Sequence, residues 1–160
     1  MDIHVADGIG RGPTELAAYD AALSDAGVGD FNLVTVSSVV PADATVRAVD
    51  TAPDLGPAGD RLTVVQAHAA ASPEDAHETE SVTACLGWAT GPGPGLFYEA
   101  DGSDADAVRE TVSTGLDAGR DLRDWTFDHE GTRCATVETD DSAYVAAVVV
   151  AAYGESEPIA

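Results

Sequence analysis

The segment 81–90 constrains the fold more than any other part of the chain, because it is a long strand candidate that carries no charge. Its residues alternate between two faces, one made of Val82, Ala84, Leu86 and Trp88, the other of Thr83, Cys85, Gly87 and Ala89. A strand with two uncharged faces has to be covered on both sides. We therefore expect it to lie in a sheet that is packed on both faces.

The remaining pattern predicts one α+β unit of two helices and several strands. The first helix is predicted over 13–26, opened by Pro13 and stopped by Gly27. The second is capped by Ser103, and its apolar residues hold helical spacing at Ala105, Val108, Val112, Leu116 and Leu122. Further strands are predicted at 2–6, 31–37, 44–49, 62–71, 96–100, 125–138 and 143–153, with a glycine-rich turn at 8–12. No repeat or linker interrupts this order, so residues 1–160 are expected to form a single domain.

The charge balance is extreme, with 29 acidic residues against seven basic ones and a formal net charge of −22. All the basic residues are arginines, and lysine is absent. Such repulsion weakens compaction in dilute buffer, but molar salt shortens the Debye length to about 3 Å. The acids are scattered along the whole chain, which favours adaptation to high salt over the binding of a cationic partner. Nucleic-acid binding is not expected, because no basic stripe is present.

The first residues, the apolar run at 143–153 and the two cysteines indicate where in the cell the protein is expected. The first residues lack a basic region followed by an apolar run, so no signal peptide is expected. The apolar run at 143–153 is too short to cross a bilayer, and a cytoplasmic location without membrane association is therefore expected. In that setting Cys85 and Cys134 are expected to be small core residues rather than a disulfide. Neither has the close cysteine or histidine spacing of a zinc site, and no metal is expected.

Several catalytic motifs are excluded by the residues themselves. The glycine turn departs from a dinucleotide fingerprint, because Pro13 stands at the third glycine position. There is no G-x-S-x-G elbow, and the four histidines are not clustered. The acidic stretch 101–106 lacks the glycine and terminal glutamate of a calcium loop.

Asp20 stands out in the first predicted helix. Leu16, Tyr19 and Leu23 define an apolar stripe, and Asp20 lies within the same spacing. An acid on a core-facing stripe is costly unless it is paired or faces a cavity. Periodicity alone favours the simpler interpretation, an acid at the edge of the stripe that reaches water.

A serine pair at the end of an apolar strand provides the strongest functional signal. Most serine pairs of this kind lie in turns. This one lies in the run N-L-V-T-V-S-S-V-V-P at 32–41. A T-E-L helix start at 14–16 and a G-V-G turn at 27–29 precede that run. This block resembles the pyruvoyl-dependent arginine decarboxylases. The segment G-L-F-Y-E-A at 95–100 is similar to the glycine-aromatic-glutamate strand of the same family.

The resemblance implies a four-layer αββα sandwich that cuts itself between Ser37 and Ser38. The products would be a β chain of residues 1–37 and an α chain of residues 38–160. Ser38 would become a covalent pyruvoyl group, the cofactor of the reaction. Asn32 matches a family position whose amide orients the cleaved peptide or the substrate.

The resemblance also implies the reaction, the decarboxylation of L-arginine to agmatine and CO2 in polyamine biosynthesis. Glu99 matches the family's proton donor, and Asp20 its substrate-binding aspartate, which would hold the guanidinium group. Leu16 and Leu23 would pack against the methylene stem of the substrate. The assembly implied is a homotrimer or a multiple of it, with sites where protomers meet.

Two alternatives stay open from the sequence. The chain could be an unprocessed, non-catalytic regulatory subunit with the same fold. It could also be a pyruvoyl enzyme that decarboxylates another amino acid, such as lysine or ornithine.

Overall fold

The computed structural model describes residues 1–160 as nine β-strands and two α-helices. In chain order they are β1 (Asp2–Gly12), α1 (Glu15–Asp25), β2 (Asn32–Thr35), β3 (Val39–Val40), β4 (Thr45–Ala48), β5 (Arg61–Ala71), β6 (Ser81–Thr90), β7 (Gly95–Gly102), α2 (Ala105–Asp121), β8 (His129–Glu138) and β9 (Tyr144–Tyr153). A short 3-10 helix, Glu74–His77, follows β5.

The strands form two sheets that pack face to face. One sheet has five strands in the order β2-β5-β9-β1-β4, and the other has four in the order β3-β7-β6-β8. A core of 17 buried residues, drawn from both sheets, fills the space between them. Helix α1 covers the outer face of the five-stranded sheet and α2 that of the four-stranded sheet, each over a core of its own. The predicted four-layer αββα sandwich is therefore confirmed.

The uncharged strand β6 lies inside this sandwich, as its sequence predicts. Its residues Ala84 and Leu86 are fully buried between the two sheets, whereas Cys85 and Ala89 are buried under α2. Strand β6 is hydrogen-bonded to β7 on one side and to β8 on the other. A charge on either face would have no access to water.

The glycines at 8, 10 and 12 form no turn, so the prediction of a turn there is wrong. They belong to β1, which pairs with β9 along its whole length as far as Gly12. The physical reason lies in the helix above them. A Cβ atom at Gly10 would lie closer than 3.0 Å to backbone atoms of Ala18 and Ala22. Glycine is needed here for the close approach of a helix to a strand, not for chain reversal.

The same close approach decides which face of α1 is buried. The helix buries Ala18, Ala22 and Leu23, whereas Leu16 is 74% exposed. The prediction that Leu16 lies on the core-facing stripe is therefore wrong, because only small side chains fit over the glycines of β1. Asp20 is exposed to solvent, as periodicity alone favoured. The helix begins at Glu15, after Thr14, whose hydroxyl accepts a hydrogen bond from the Ala17 N–H at 3.0 Å.

The second helix also differs in detail from its prediction. Asp104, not Ser103, caps it by accepting hydrogen bonds from the N–H groups of Asp106 and Ala107. Leu122 lies just beyond the last turn and is 82% exposed, so it does not continue the buried stripe. The strand predicted from 125 begins only at His129.

The two cysteines form a disulfide, and the expectation of two thiols is therefore wrong. Cys85 on β6 lies directly opposite Cys134 on β8, with their Cα atoms 4.1 Å apart. Register between two strands distant in sequence brings them together, and sequence spacing gives no sign of it. No helix of the structure is long and apolar enough to cross a membrane.

The close packing of β1 against α1 leads to a prediction about stability. The variant Gly10→Ala forces β1 and α1 apart, because the new methyl group meets helix backbone that cannot move alone. We expect it to lower the free energy of unfolding by about 1–3 kcal/mol, the usual cost of overpacking. Denaturant titration in molar salt measures this, with Gly93→Ala as the control, since nothing lies within 4 Å of a Cβ at that position. Equal stability of the two variants would contradict the explanation.

Candidate active site

The serine pair lies where the chain crosses from one sheet to the other. Residues 36–38 connect β2, at the edge of the five-stranded sheet, to β3, at the edge of the four-stranded sheet. Ser37 is exposed and Ser38 is half-buried. The peptide bond between them therefore belongs to neither sheet, yet strands that are part of the sandwich hold it on both sides.

Strand β7 places two groups against Ser38. The pairing of Val39 with Leu96 sets the register of β3 along β7. In this register the Phe97 N–H donates to the carbonyl oxygen of Ser38 at 2.8 Å. Glu99, two residues further along β7, accepts a hydrogen bond from the Ser38 hydroxyl, with 3.3 Å between Oγ and Oε2. The structure thus unites Ser38 and Glu99, two of the predicted site residues, although 61 positions separate them in the chain.

Tyr153 is a further residue at this site, and no sequence pattern predicts it. It is the last residue of β9, and its hydroxyl donates to the carbonyl oxygen of Val39 at 2.8 Å. Its ring packs at a tilt against Phe97, with 6.1 Å between ring centroids. Burial, together with the nearby charge of Glu99, raises the pKa of Tyr153 to about 12. A tyrosine that ends an apolar run carries no sequence signal for such a role.

A cavity of about 410 Å³ opens beside the serine pair. Its wall is mostly apolar and comes from the serine segment, β7 and α2, and Arg123 is its one charged residue. The lining residues are Ser37, Ser38, Val39, Leu96, Phe97, Tyr98, Gly115, Leu116, Ala118, Gly119, Leu122 and Arg123. A small molecule in this cavity would lie directly against Ser38.

Asn32 is held by a loop rather than by the serine pair. It begins β2, and its side-chain Nδ2 donates to the Gly59 carbonyl oxygen at 2.8 Å. Its backbone N–H donates to the Asp60 carbonyl oxygen at 2.8 Å. Both bonds fix the start of β2 against the loop before β5, which sets where the crossover to Ser38 begins.

The three predicted substrate-binding residues lie on α1, away from the cavity within one chain. Leu16 and Asp20 are exposed and lie one helical turn apart, so they face the same side of the helix. Leu23 is 8% exposed and packs in the core under α1. Since α1 covers the five-stranded sheet and the cavity lies under α2, none of the three lines the cavity beside Ser38.

The fold and the serine–carboxylate contact are those expected of an enzyme that makes its prosthetic group from a serine. A family model described as pyruvoyl-dependent arginine decarboxylase matches residues 2–158. The pyruvoyl-dependent arginine decarboxylase of Halobacterium salinarum is 54% identical, in an alignment of 160 positions that covers 98% of this chain and 96% of that protein. A protein of the same name from Thermococcus sibiricus is 33% identical over 89% of this chain and 90% of its own length. Another from Methanopyrus kandleri is 32% identical over 91% of this chain and 91% of its own length. The chain belongs to the pyruvoyl-dependent arginine decarboxylase family.

Membership in this family implies a covalently bound pyruvoyl group, and the residues around Ser38 fit such a group. The carbonyl oxygen of Ser38 is already held by a backbone N–H, its hydroxyl donates to the Glu99 carboxylate, and the residue itself lines the cavity. A small ketone in place of the serine side chain would remain within reach of both groups. Ser38 is half-buried, so part of this group would be shielded from water.

The raised pKa of Tyr153 predicts a specific alkaline titration. Below pH 10 the phenol is protonated in the folded and the unfolded chain, so its stabilising contribution is complete. Between pH 10 and about 12 the unfolded chain loses this proton first, and the free energy of unfolding falls. The phenolate absorbance of wild type minus that of Tyr153→Phe, recorded in molar salt, should show a midpoint near pH 12. A midpoint near 10, the ordinary tyrosine value, would contradict the buried position of the hydroxyl.

Proposed function

We propose that this chain cuts itself between Ser37 and Ser38 and then decarboxylates L-arginine to agmatine and CO2. The observation that supports this best is the hydrogen bond between Ser38 and Glu99 at the crossover between the sheets. Family membership supplies the reaction class, and the names of the relatives supply the substrate.

Self-cleavage starts with the Ser38 hydroxyl. Its Oγ attacks the Ser37 carbonyl carbon while Glu99 accepts the hydroxyl proton, and the amide nitrogen leaves as an amine, which gives an ester. Loss of the Cα proton of residue 38 then breaks the Cβ–O bond and releases Ser37 as the carboxylate end of the β chain. The dehydroalanine left on the α chain takes up one water and releases one ammonia, which yields the pyruvoyl end.

At residue 38 a pyruvoyl group would supply the electron sink that the substrate's α-carbon needs when CO2 leaves. The chain itself has to hold the substrate, exclude water and return a proton to that carbon. Glu99 is our proton donor, because it is the carboxyl group in contact with the Ser38 side chain. The apolar wall of the cavity provides the water-poor space that CO2 release favours.

We assign the guanidinium site to a second copy of the chain in a homotrimer or a multiple of it. Asp20 and Leu16 are exposed on a different layer from Ser38, so a neighbouring copy has to supply them. Apolar side chains around the serine segment are exposed in one chain and would be covered by that neighbour. They are Val34, Val36, Val39 and Tyr98, each 38–44% exposed. Leu23 lies on the buried face of α1 and packs the helix that carries Asp20 against the sheet.

We place this enzyme in a salt-rich cytoplasm. The net charge of −22 and the absence of lysine support the salt, and the relative at 54% identity comes from Halobacterium salinarum. At molar salt the screening length is about 3 Å, so the scattered carboxylates repel one another little. The disulfide is unusual for a cytoplasmic protein and does not follow from this proposal.

The role of Glu99 is tested by Glu99→Gln. The amide keeps the shape of the side chain but has no acidic proton to transfer, so turnover per cleaved chain should fall about 10²–10⁴-fold, the usual contribution of acid–base catalysis. Release of CO2 from carboxyl-labelled arginine measures turnover, and the pyruvoyl content, measured chemically, corrects for incomplete cleavage. Glu138→Gln, at an exposed strand end of β8, is the control. Normal turnover per cleaved chain in Glu99→Gln would remove Glu99 from the mechanism.

The role of Asp20 is tested by Asp20→Asn. Loss of the charged hydrogen bonds to the guanidinium group should raise KM for arginine about 10- to 100-fold, which corresponds to about 1.5–3 kcal/mol. Cleavage between Ser37 and Ser38 should stay normal. Asp121→Asn, at the exposed end of α2, is the control. Comparing arginine with lysine and ornithine completes the test, and a wild-type preference for a substrate without a guanidinium group would exclude the role of Asp20.

A further inference from the structure

We infer that Tyr153 is a positioning residue, whose hydroxyl anchors the chain segment after Ser38 so that the cleaved end stays in register with Glu99. This inference rests on the proposed function, since it assumes that residue 38 becomes a chain end. It adds a residue of β9 to a site otherwise built from the serine segment and β7.

The segment that needs an anchor is short. Strand β3 consists of Val39 and Val40 alone, and it lies at the edge of the four-stranded sheet. Before cleavage, β2 holds the preceding residues against β5. After cleavage that connection is lost and residue 38 becomes an end, and chain ends fray unless they are tied down.

Two consecutive backbone carbonyl groups, those of Ser38 and Val39, anchor the segment through hydrogen bonds. The Ser38 carbonyl accepts from the Phe97 N–H at 2.8 Å, and the Val39 carbonyl accepts from the Tyr153 hydroxyl at 2.8 Å. Phe97 belongs to the four-stranded sheet and Tyr153 to the five-stranded sheet. The segment is thus attached to both sheets, and loss of either bond would let it pivot about the other.

The position of Tyr153 also relates the segment to Glu99. The tyrosine ring packs against Phe97, which precedes Glu99 by two residues on β7. The phenol remains protonated at any working pH, because burial and the charge of Glu99 keep its pKa high. Tyr153 therefore acts as a permanent donor next to the proposed proton donor.

The hydrogen bond of the Tyr153 hydroxyl separates this role from substrate binding. The hydroxyl donates its one proton to the Val39 carbonyl oxygen, so no donor is left for a substrate. Its hydroxyl acts through Val39, so its loss should slow the chemical steps without changing how tightly arginine binds.

The test compares Tyr153→Phe with Tyr144→Phe, at the opposite end of the same strand, where the hydroxyl makes no hydrogen bond within the chain. Tyr153→Phe keeps the ring packing and removes one donor. We expect self-cleavage to slow about three- to tenfold, the effect of one hydrogen bond. In the cleaved fraction we expect kcat to fall by a similar factor, with KM for arginine unchanged. Hydrogen exchange should be faster at the amides of residues 39 and 40 and unchanged elsewhere, and Tyr144→Phe should match wild type throughout.

Each other outcome overturns the inference. Wild-type cleavage, turnover and exchange in Tyr153→Phe would show that the hydroxyl anchors nothing. A raised KM would place it in substrate binding, and faster exchange throughout the chain or loss of the fold would make its role one of general stability. These results are distinct from failure of the proposed function, because in that case wild type itself would remain uncut.

Discussion

The hydrogen bond between the Phe97 N–H and the Ser38 carbonyl is the interaction on which the rest of the site depends. It fixes a crossover segment that belongs to neither sheet, and it does so through the backbone, so it would survive the proposed conversion of the serine side chain. With this bond in place, the register of β7 brings Glu99 to the Ser38 hydroxyl. Without it, a two-residue edge strand alone would hold Ser38 in place.

The sandwich makes this local geometry rigid. Strand β7 pairs with β6, which is buried on both faces and bonded to β8 as well. Strand β9, which carries Tyr153, lies at the centre of the other sheet between β5 and β1. Ser38 at the crossover is therefore held by β7, next to the buried strand β6, and the following residue Val39 is held by the central strand of the other sheet. The proposed guanidinium site is different, because Asp20 is exposed on α1 and a neighbouring copy of the chain would have to complete the site.

The sequence predicted those features that depend on local pattern and missed those that depend on long-range register. Strand β6 was predictable because a charge-free segment in a highly charged chain has to be buried. The glycines of β1 were mistaken for a turn, since close helix packing and chain reversal require the same residue. The Cys85–Cys134 disulfide and the bond from Tyr153 to Val39 join distant strands, and no spacing in the sequence encodes them. Ser38 and Glu99 were predicted as site residues only through family resemblance, and the structure shows them in contact.

The most direct test of this account is a denaturing intact-mass spectrum of the wild-type protein purified in high salt. Self-cleavage at Ser38 predicts two chains, residues 1–37 and residues 38–160, with the larger one lighter by one ammonia than a fragment that begins with serine. The same spectrum of Ser38→Ala should show one uncut chain. A single full-length mass for wild type, stable on prolonged incubation, would contradict the claim that Ser38 becomes the catalytic group, and would favour a non-catalytic member of the family.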